Sequence, residues 1–125
     1  VKASSSMSEN INLDSMAIFA NATVYFEFDK SSLTSKSIQT LKSAVDALNE
    51  NTSIKVTLSG HADERGTREY NLALGQRRAE SVSDYLVLNG INKSRITVKS
   101  FGEEKPLAYG QDESSYAKNR RVEIN

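Results

Sequence analysis

Asp63 and Arg78 are the two residues of this chain whose types and placement offer a binding chemistry. A carboxylate accepts from an ammonium, and a planar guanidinium takes a carboxylate bidentately, so the two facing one pocket would suit a zwitterion. Both lie in the stretch from Gly60 to Val82, GHADERGTREYNLALGQRRAESV, which is dense in charge, turn and helix signals. Its start closes an alternating strand, Asp63 to Gly66 turn the chain, and a helix begins after Thr67. A polar turn beyond a strand's carboxyl end is where open α/β sheets bind ligands, and N–H groups at the next helix start receive anions. Around that helix Leu72, Ala79, Val82 and Leu86 form the buried stripe, with Gly75 allowing close approach to a neighbour. Asn71, Leu74 and Arg78 form a second stripe displaced toward solvent, which places Arg78 at the core boundary. Arg78 reaching back over the first turn would meet Asp63 across a pocket. The same two side chains can equally pair with each other and leave no site, and the residues alone leave both readings open. Arg77 points elsewhere, beside Glu80 at i+3, where a solvated ion pair is worth a few tenths of a kcal/mol.

The elements that must position this pair follow from periodicity. Val24, Phe26 and Phe28 alternate with Tyr25, Glu27 and Asp29 in a half-buried strand over Thr23 to Asp29. Thr34 caps a helix with Leu33 and Ile38 as a hydrophobic staple and Ile38, Leu41, Val45 and Leu48 as its core stripe. Ile54 to Gly60 is the second strand, Gly90 stops the long helix, and Arg95 to Phe101 is the third strand. Asp112 caps a short helix through Tyr116, and Val122 and Ile124 face inward on a last strand. The order is βαβαβ(α)β. Alternating strands leave one sheet face solvated, so both long helices belong on the other. The fold class expected is α+β, a two-layer α/β sandwich with a mixed four-stranded sheet and two long helices on one face. Residues 1–22, rich in Ser and Asn, read as a flexible tether with a short helix through Met16, Ile18 and Phe19, and 23–125 as the domain.

Composition removes several function classes. With no cysteine among 125 residues there is no disulfide scaffold, thiolate zinc site or cysteine nucleophile. Sixteen basic residues cancel sixteen acidic ones, so no net field draws the chain to nucleic acid or anionic lipid. The longest apolar run, Met16 to Ala20, is far short of the roughly 20 residues of a membrane helix. No charged segment followed by an apolar one is visible, so a secretion signal was removed or never present.

The stretch GHADERGTREYNLALGQRRA resembles the signature of the OmpA-like peptidoglycan-binding domain, and it is most similar to the peptidoglycan-associated lipoproteins within that family. The likeness recurs in order at VYFEFDKSSL, FGEEKP and SYAKNRRVEI, covering the chain from Val24 onward. Ala62 stands where many members have Thr. The resemblance implies the two-layer architecture and a non-catalytic role, with Asp63 and Arg78 gripping the free amino-acid end of meso-diaminopimelate in the peptide stem of peptidoglycan. It places Phe28 and Asp29 at the pocket rim, where the residues alone read as a core aromatic and a turn-starting Asp. It further implies TolB and other Tol proteins as partners, no cofactor, and a periplasmic location. The membrane would be reached only through an N-terminal lipid on a cysteine this chain lacks. A wall-binding domain of a porin or a flagellar stator protein is the alternative within the same family.

The remaining polar residues read less sharply. Asn71 either donates to a ligand carboxylate or caps its own turn, and Leu74 either packs or walls an aliphatic ligand. Tyr70 braces the turn. His61, the only histidine, is expected to be hydrogen-bonded, because a metal site with Asp63 and Glu64 would lack a second imidazole. Of Arg120 and Arg121, alternation predicts one toward the pocket and one toward water. A wall-cleaving hydrolase would use Asp63 and Glu64 as its carboxylate pair, but neighbours in one turn tend to diverge.

Overall fold

Val24, Val56, Leu58, Val122 and Ile124 from strands pack with Leu41, Leu48, Ala79, Val82 and Leu86 from helices into one core. The computed structural model describes residues 22–125; the expected tether and the helix through Met16 lie, but for Ala22, outside them. Its elements are β1 (Thr23–Tyr25), α1 (Ser35–Glu50), β2 (Val56–His61), α2 (Arg68–Leu88), β3 (Ile96–Gly102), α3 (Glu113–Asn119) and β4 (Arg121–Ile124). The sheet is mixed, in the order β1-β4-β2-β3, with β2 parallel to β3 and β4 antiparallel to both β1 and β2. Both long helices feed one core, as the stripes require. The α+β two-layer sandwich is the fold.

Local chemistry sets the boundaries. Thr34, Thr67 and Asp112 each cap a helix by accepting from the N–H three residues on. Gly90, at φ 95°, ends α2, with its own N–H donating to Val87 O and that of Ile91 to Leu86 O. No basic residue lies in the last turn of α1. Arg95, arriving from the far side of the sequence, instead donates to the carbonyls of Leu48, Asn51 and Ile54.

Two expectations change. β1 stops at Tyr25, and Glu27 to Lys30 form a tight turn closed by Lys30 N–H to Glu27 O, with Asp29 at φ 59°. Phe28 is therefore a turn residue, 54 % exposed, and not an inward strand residue. In the sheet, β4 lies between β1 and β2. Alternation also breaks in β2, where Ser59, Gly60 and His61 are all buried. The chain after β3 covers that second face, and Arg121 N–H groups hold it through Lys105 O and Asn119 O.

Gly60 and Gly75 bring α2 against β2. A Cβ on Gly60 would overlap the Gly75 carbonyl, and one on Gly75 would meet Ser100 Oγ and lie 2.9 Å from Gly60 O. Gly75→Ala is therefore expected to destabilise the domain by about 1–3 kcal/mol, the range for overpacking a close contact, in urea-denaturation midpoints. Gly60→Ala should cost more, since its clash is with backbone.

Candidate functional site

A cavity of about 240 Å³ opens at the carboxyl ends of β1 and β2. Three segments build it: the turn after β1, the loop from Ala62 to Gly66, and the first turns of α2. Phe28, Asp29, Asp63, Asn71, Leu74 and Arg78 all line it, as do Arg65 and Tyr70. The six residues singled out from sequence thus share one cavity. How each sits there differs from the expectation in several places.

Arg78 is not at the core boundary but wholly buried, at 0 % exposure. Its Nε donates to Lys30 O at 2.8 Å, Nη1 to His61 O at 2.9 Å and Nη2 to Glu27 O at 3.1 Å. The Phe26 ring lies 5.4 Å away. None of the described carboxylates forms an ion pair with it, Asp63 included. Burial draws its pKa down to about 10, opposed by the Asp63 charge, so it stays charged at neutral pH. Five guanidinium hydrogens less three used leave two free, one on each Nη. Asn71 and Leu74 share this burial, so the stripe read as displaced toward solvent belongs to the inner face.

Asp63 does not neutralise Arg78 because Arg65 holds it. The Asp63 carboxylate accepts from Arg65 Nε at 3.1 Å, Nη2 at 2.9 Å and the Arg65 backbone N–H at 3.0 Å. Burial pushes the Asp63 carboxyl up, but these bonds and the charges of Arg65 and Arg120 together hold it below its ordinary range. The Arg65 guanidinium carbon lies 4.0 Å from the centre of the Phe28 ring and 4.3 Å from that of Tyr116. Sequence reasoning passed over Arg65. The signal available was a basic residue two positions after an Asp in a turn, where an Asx-type bond is common.

Asn71 does not cap its own turn, where Thr67 is the cap. Its Nδ2 donates to Arg65 O at 3.1 Å and Glu103 Oε1 at 2.9 Å, tying the loop to the chain after β3. Donating to a ligand would break one of those bonds. Tyr70 donates its hydroxyl to Asp29 across the cavity mouth, which braces the turn. Arg77 pairs with no described carboxylate and instead faces the Tyr70 ring at 5.7 Å.

Neither Arg120 nor Arg121 faces water; both are buried. Arg120 lies on the cavity side, donating to Phe26 O and Glu113 Oε1, with Nη1 3.7 Å from Asp63 Oδ2. Arg121 lies under the covering segment and bonds Glu123. Asn119 holds the same segment by accepting from the Leu107 and Ala108 N–H groups and donating to Ala108 O. As a carboxylate pair, Asp63 and Glu64 diverge. Asp63 lines the main cavity, whereas Glu64 lines a separate one of about 140 Å³ with Glu103 and Tyr109. No cluster of three metal-binding side chains occurs among the described residues.

A model of the OmpA family matches residues 25–120. The chain belongs to the OmpA family. Among relatives, the peptidoglycan-associated lipoprotein of Pseudomonas aeruginosa is 47 % identical over 111 residues, covering 89 % of this chain and 66 % of that protein. That of Haemophilus influenzae is 48 % identical over 100 residues, covering 80 % and 65 %. The chain thus spans slightly under two thirds of the length of these relatives. Among solved structures, the peptidoglycan-associated lipoprotein of Burkholderia pseudomallei superposes with a TM-score of 0.82 at 41 % identity, over 86 % of this chain and 91 % of that one. The C-terminal domain of MotB from Helicobacter pylori aligns over 82 % of this chain and 81 % of its own, with a TM-score of 0.76 at 20 % identity; this is a likeness of fold alone.

His61 differs from the expectation of a hydrogen-bonded ring. It is 2 % exposed, stacks on Phe101 at 5.4 Å, and neither ring nitrogen has a hydrogen-bond partner among the described residues. Burial first, then the Arg121 charge, lowers its pKa from 6.5 to about 4, against the opposing pull of Glu123 3.9 Å away. The unfolded chain therefore binds this proton more readily than the folded one. Stability is full above about pH 6.5 and falls as pH drops toward 4, by about 3 kcal/mol in all. Urea midpoints across that window should show this slope, and His61→Phe, which keeps the stacking, should remove most of it.

Proposed function

We propose that this domain binds the peptide stem of peptidoglycan by the free zwitterionic end of meso-diaminopimelate, and so ties the outer membrane to the cell wall. One observation carries the reading: Arg78 is a wholly buried cation with carbonyl partners, two N–H groups to spare and no described counterion, at the floor of a cavity. A buried guanidinium in that state favours an incoming carboxylate, which brings the missing charge and two charge-assisted bonds. Asp63 across the same cavity is the acceptor for the ammonium on the same carbon. Leu74 supplies apolar wall for the stem's methylenes, and Phe28 and Asp29 form the rim. Asn71 acts by holding the loop.

The names of the relatives favour this ligand, since those at 41–48 % identity described above are peptidoglycan-associated lipoproteins. On this reading the domain is non-catalytic and works in the periplasm. The full-length protein carries an N-terminal lipid in the outer membrane, and TolB and other Tol proteins are further partners. Two charge-assisted contacts contribute about 1.5–3 kcal/mol each, which by themselves give binding between roughly tens of micromolar and several millimolar. Membrane tethering raises the effective concentration of stems, so modest affinity still anchors.

Stems carrying lysine lack the second carboxylate and keep the ammonium. Calorimetry with soluble stem peptides should therefore show the diaminopimelate form bound roughly 10- to 100-fold more tightly, the worth of one charge-assisted contact. Equal affinity of the unaltered protein for both would refute the role of Arg78. Arg78→Met, checked for folding by circular dichroism, should erase the preference, and Asp63→Asn should weaken both stems.

A further inference from the structure

The Asp63 carboxylate that would receive the ligand's ammonium is already occupied. Arg65 covers it bidentately from within the loop. An ammonium placed there as well would set two cations against one nearly buried carboxylate, with the Arg120 guanidinium a third at 3.7 Å. Arg65 and the ligand's ammonium are therefore alternatives at one position.

The surroundings give Arg65 somewhere to go. Glu113, the first residue of α3, offers one oxygen to Arg120 Nη2 at 2.7 Å, and its other oxygen lies 3.9 Å from Arg65 Nη2. The Phe28 and Tyr116 rings lie 4.0 and 4.3 Å from the Arg65 guanidinium carbon, and contacts of a guanidinium with aromatic rings are broad enough to persist through a small shift. Arg120 Nη1 is buried and has no hydrogen-bond partner among the described residues, while Arg65 occupies the Asp63 oxygen nearest it. Departure of Arg65 opens that oxygen to the unpartnered donor. A buried donor without an acceptor is costly, so the closed arrangement holds an unmet demand that the open one satisfies.

We propose that Arg65 is an internal competitor for the ammonium subsite, displaced on ligand binding from Asp63 to Glu113 while Arg120 Nη1 takes up the vacated Asp63 oxygen. The inference rests on the zwitterion reading above and adds a rule to it. Arg78 sets which stem is preferred, and Arg65 sets the threshold that every ammonium-bearing ligand must overcome. The exchange also ties the cavity to the start of α3, because the Arg65–Glu113 pair, 3.9 Å apart here, tightens when the cavity is filled.

Calorimetric titration of the protein with diaminopimelate and lysine tripeptide stems tests this. Arg65→Gln should tighten both stems, by about tenfold or about 1.4 kcal/mol, and leave their ratio unchanged. Glu113→Gln keeps an acceptor for Arg120 but removes the charge awaiting Arg65, and should weaken both stems. In the unaltered protein, ring-proton resonances of Phe28 and Tyr116 should move on saturation with the diaminopimelate stem. Weaker binding by Arg65→Gln would overturn the proposal, since it would make Arg65 a ligand contact. So would unmoved ring resonances, or a Glu113→Gln variant that binds as the unaltered protein does. Failure of the unaltered protein to bind the diaminopimelate stem would instead sink the underlying reading, so the two failures are distinguishable.

Discussion

The site depends on burying one guanidinium without a counterion. Removing a charge from water costs several kcal/mol after relaxation, and carbonyl dipoles offset only part of that. Arg78 receives three of them, two from the turn after β1 and one from the end of β2. These segments are not neighbours in the sheet, because β4 separates their strands. The side chain therefore joins two parts of the chain that the sheet does not pair, and it fixes the cavity between them. Because carbonyls bring no net charge, the floor of that cavity stays positive.

Reaching those carbonyls requires α2 to lie very close to β2. The Gly60–Gly75 contact brings it there, with Arg78 one turn further along the helix from Gly75. Packing and electrostatics are thus one design: a bulkier residue at Gly75 would lift the helix and draw Arg78 off its acceptors. On the opposite wall Asp63 and Arg65, backed by Glu113 and Arg120 behind them, form a network in which each charge has an opposite partner, with one donor left over. One wall is short of an anion and the other is internally balanced. That asymmetry gives the cavity a polarity suited to a ligand carrying both signs.

The segment after β3 has a different task. Asn119 and Arg121 hold it over the second face of β2, which is why His61 is buried there and why its imidazole remains neutral. The paired arginines of the last strand accordingly divide their work. Arg120 belongs to the charge network of the cavity, and Arg121 to the cover that shields the sheet from water.

By itself the sequence determined the order of the elements, the fold class and six of the residues that line the cavity, Arg65 not among them. Helix caps at Thr34, Thr67 and Asp112, the stop at Gly90 and the core stripes are local or periodic signals, readable because each depends on residues a few positions apart. The motif stretches likewise pointed to Asp63, Arg78, Phe28, Asp29, Asn71 and Leu74. Tertiary structure alone decided who pairs with whom. That Arg65 and not Arg78 holds Asp63, that Asn71 serves Glu103, that Arg95 closes a distant helix and that neither terminal arginine meets water all turn on contacts between remote segments. Charge and period specify what a side chain can do, but its partner is set by where the sheet order and the covering segment bring the rest of the chain.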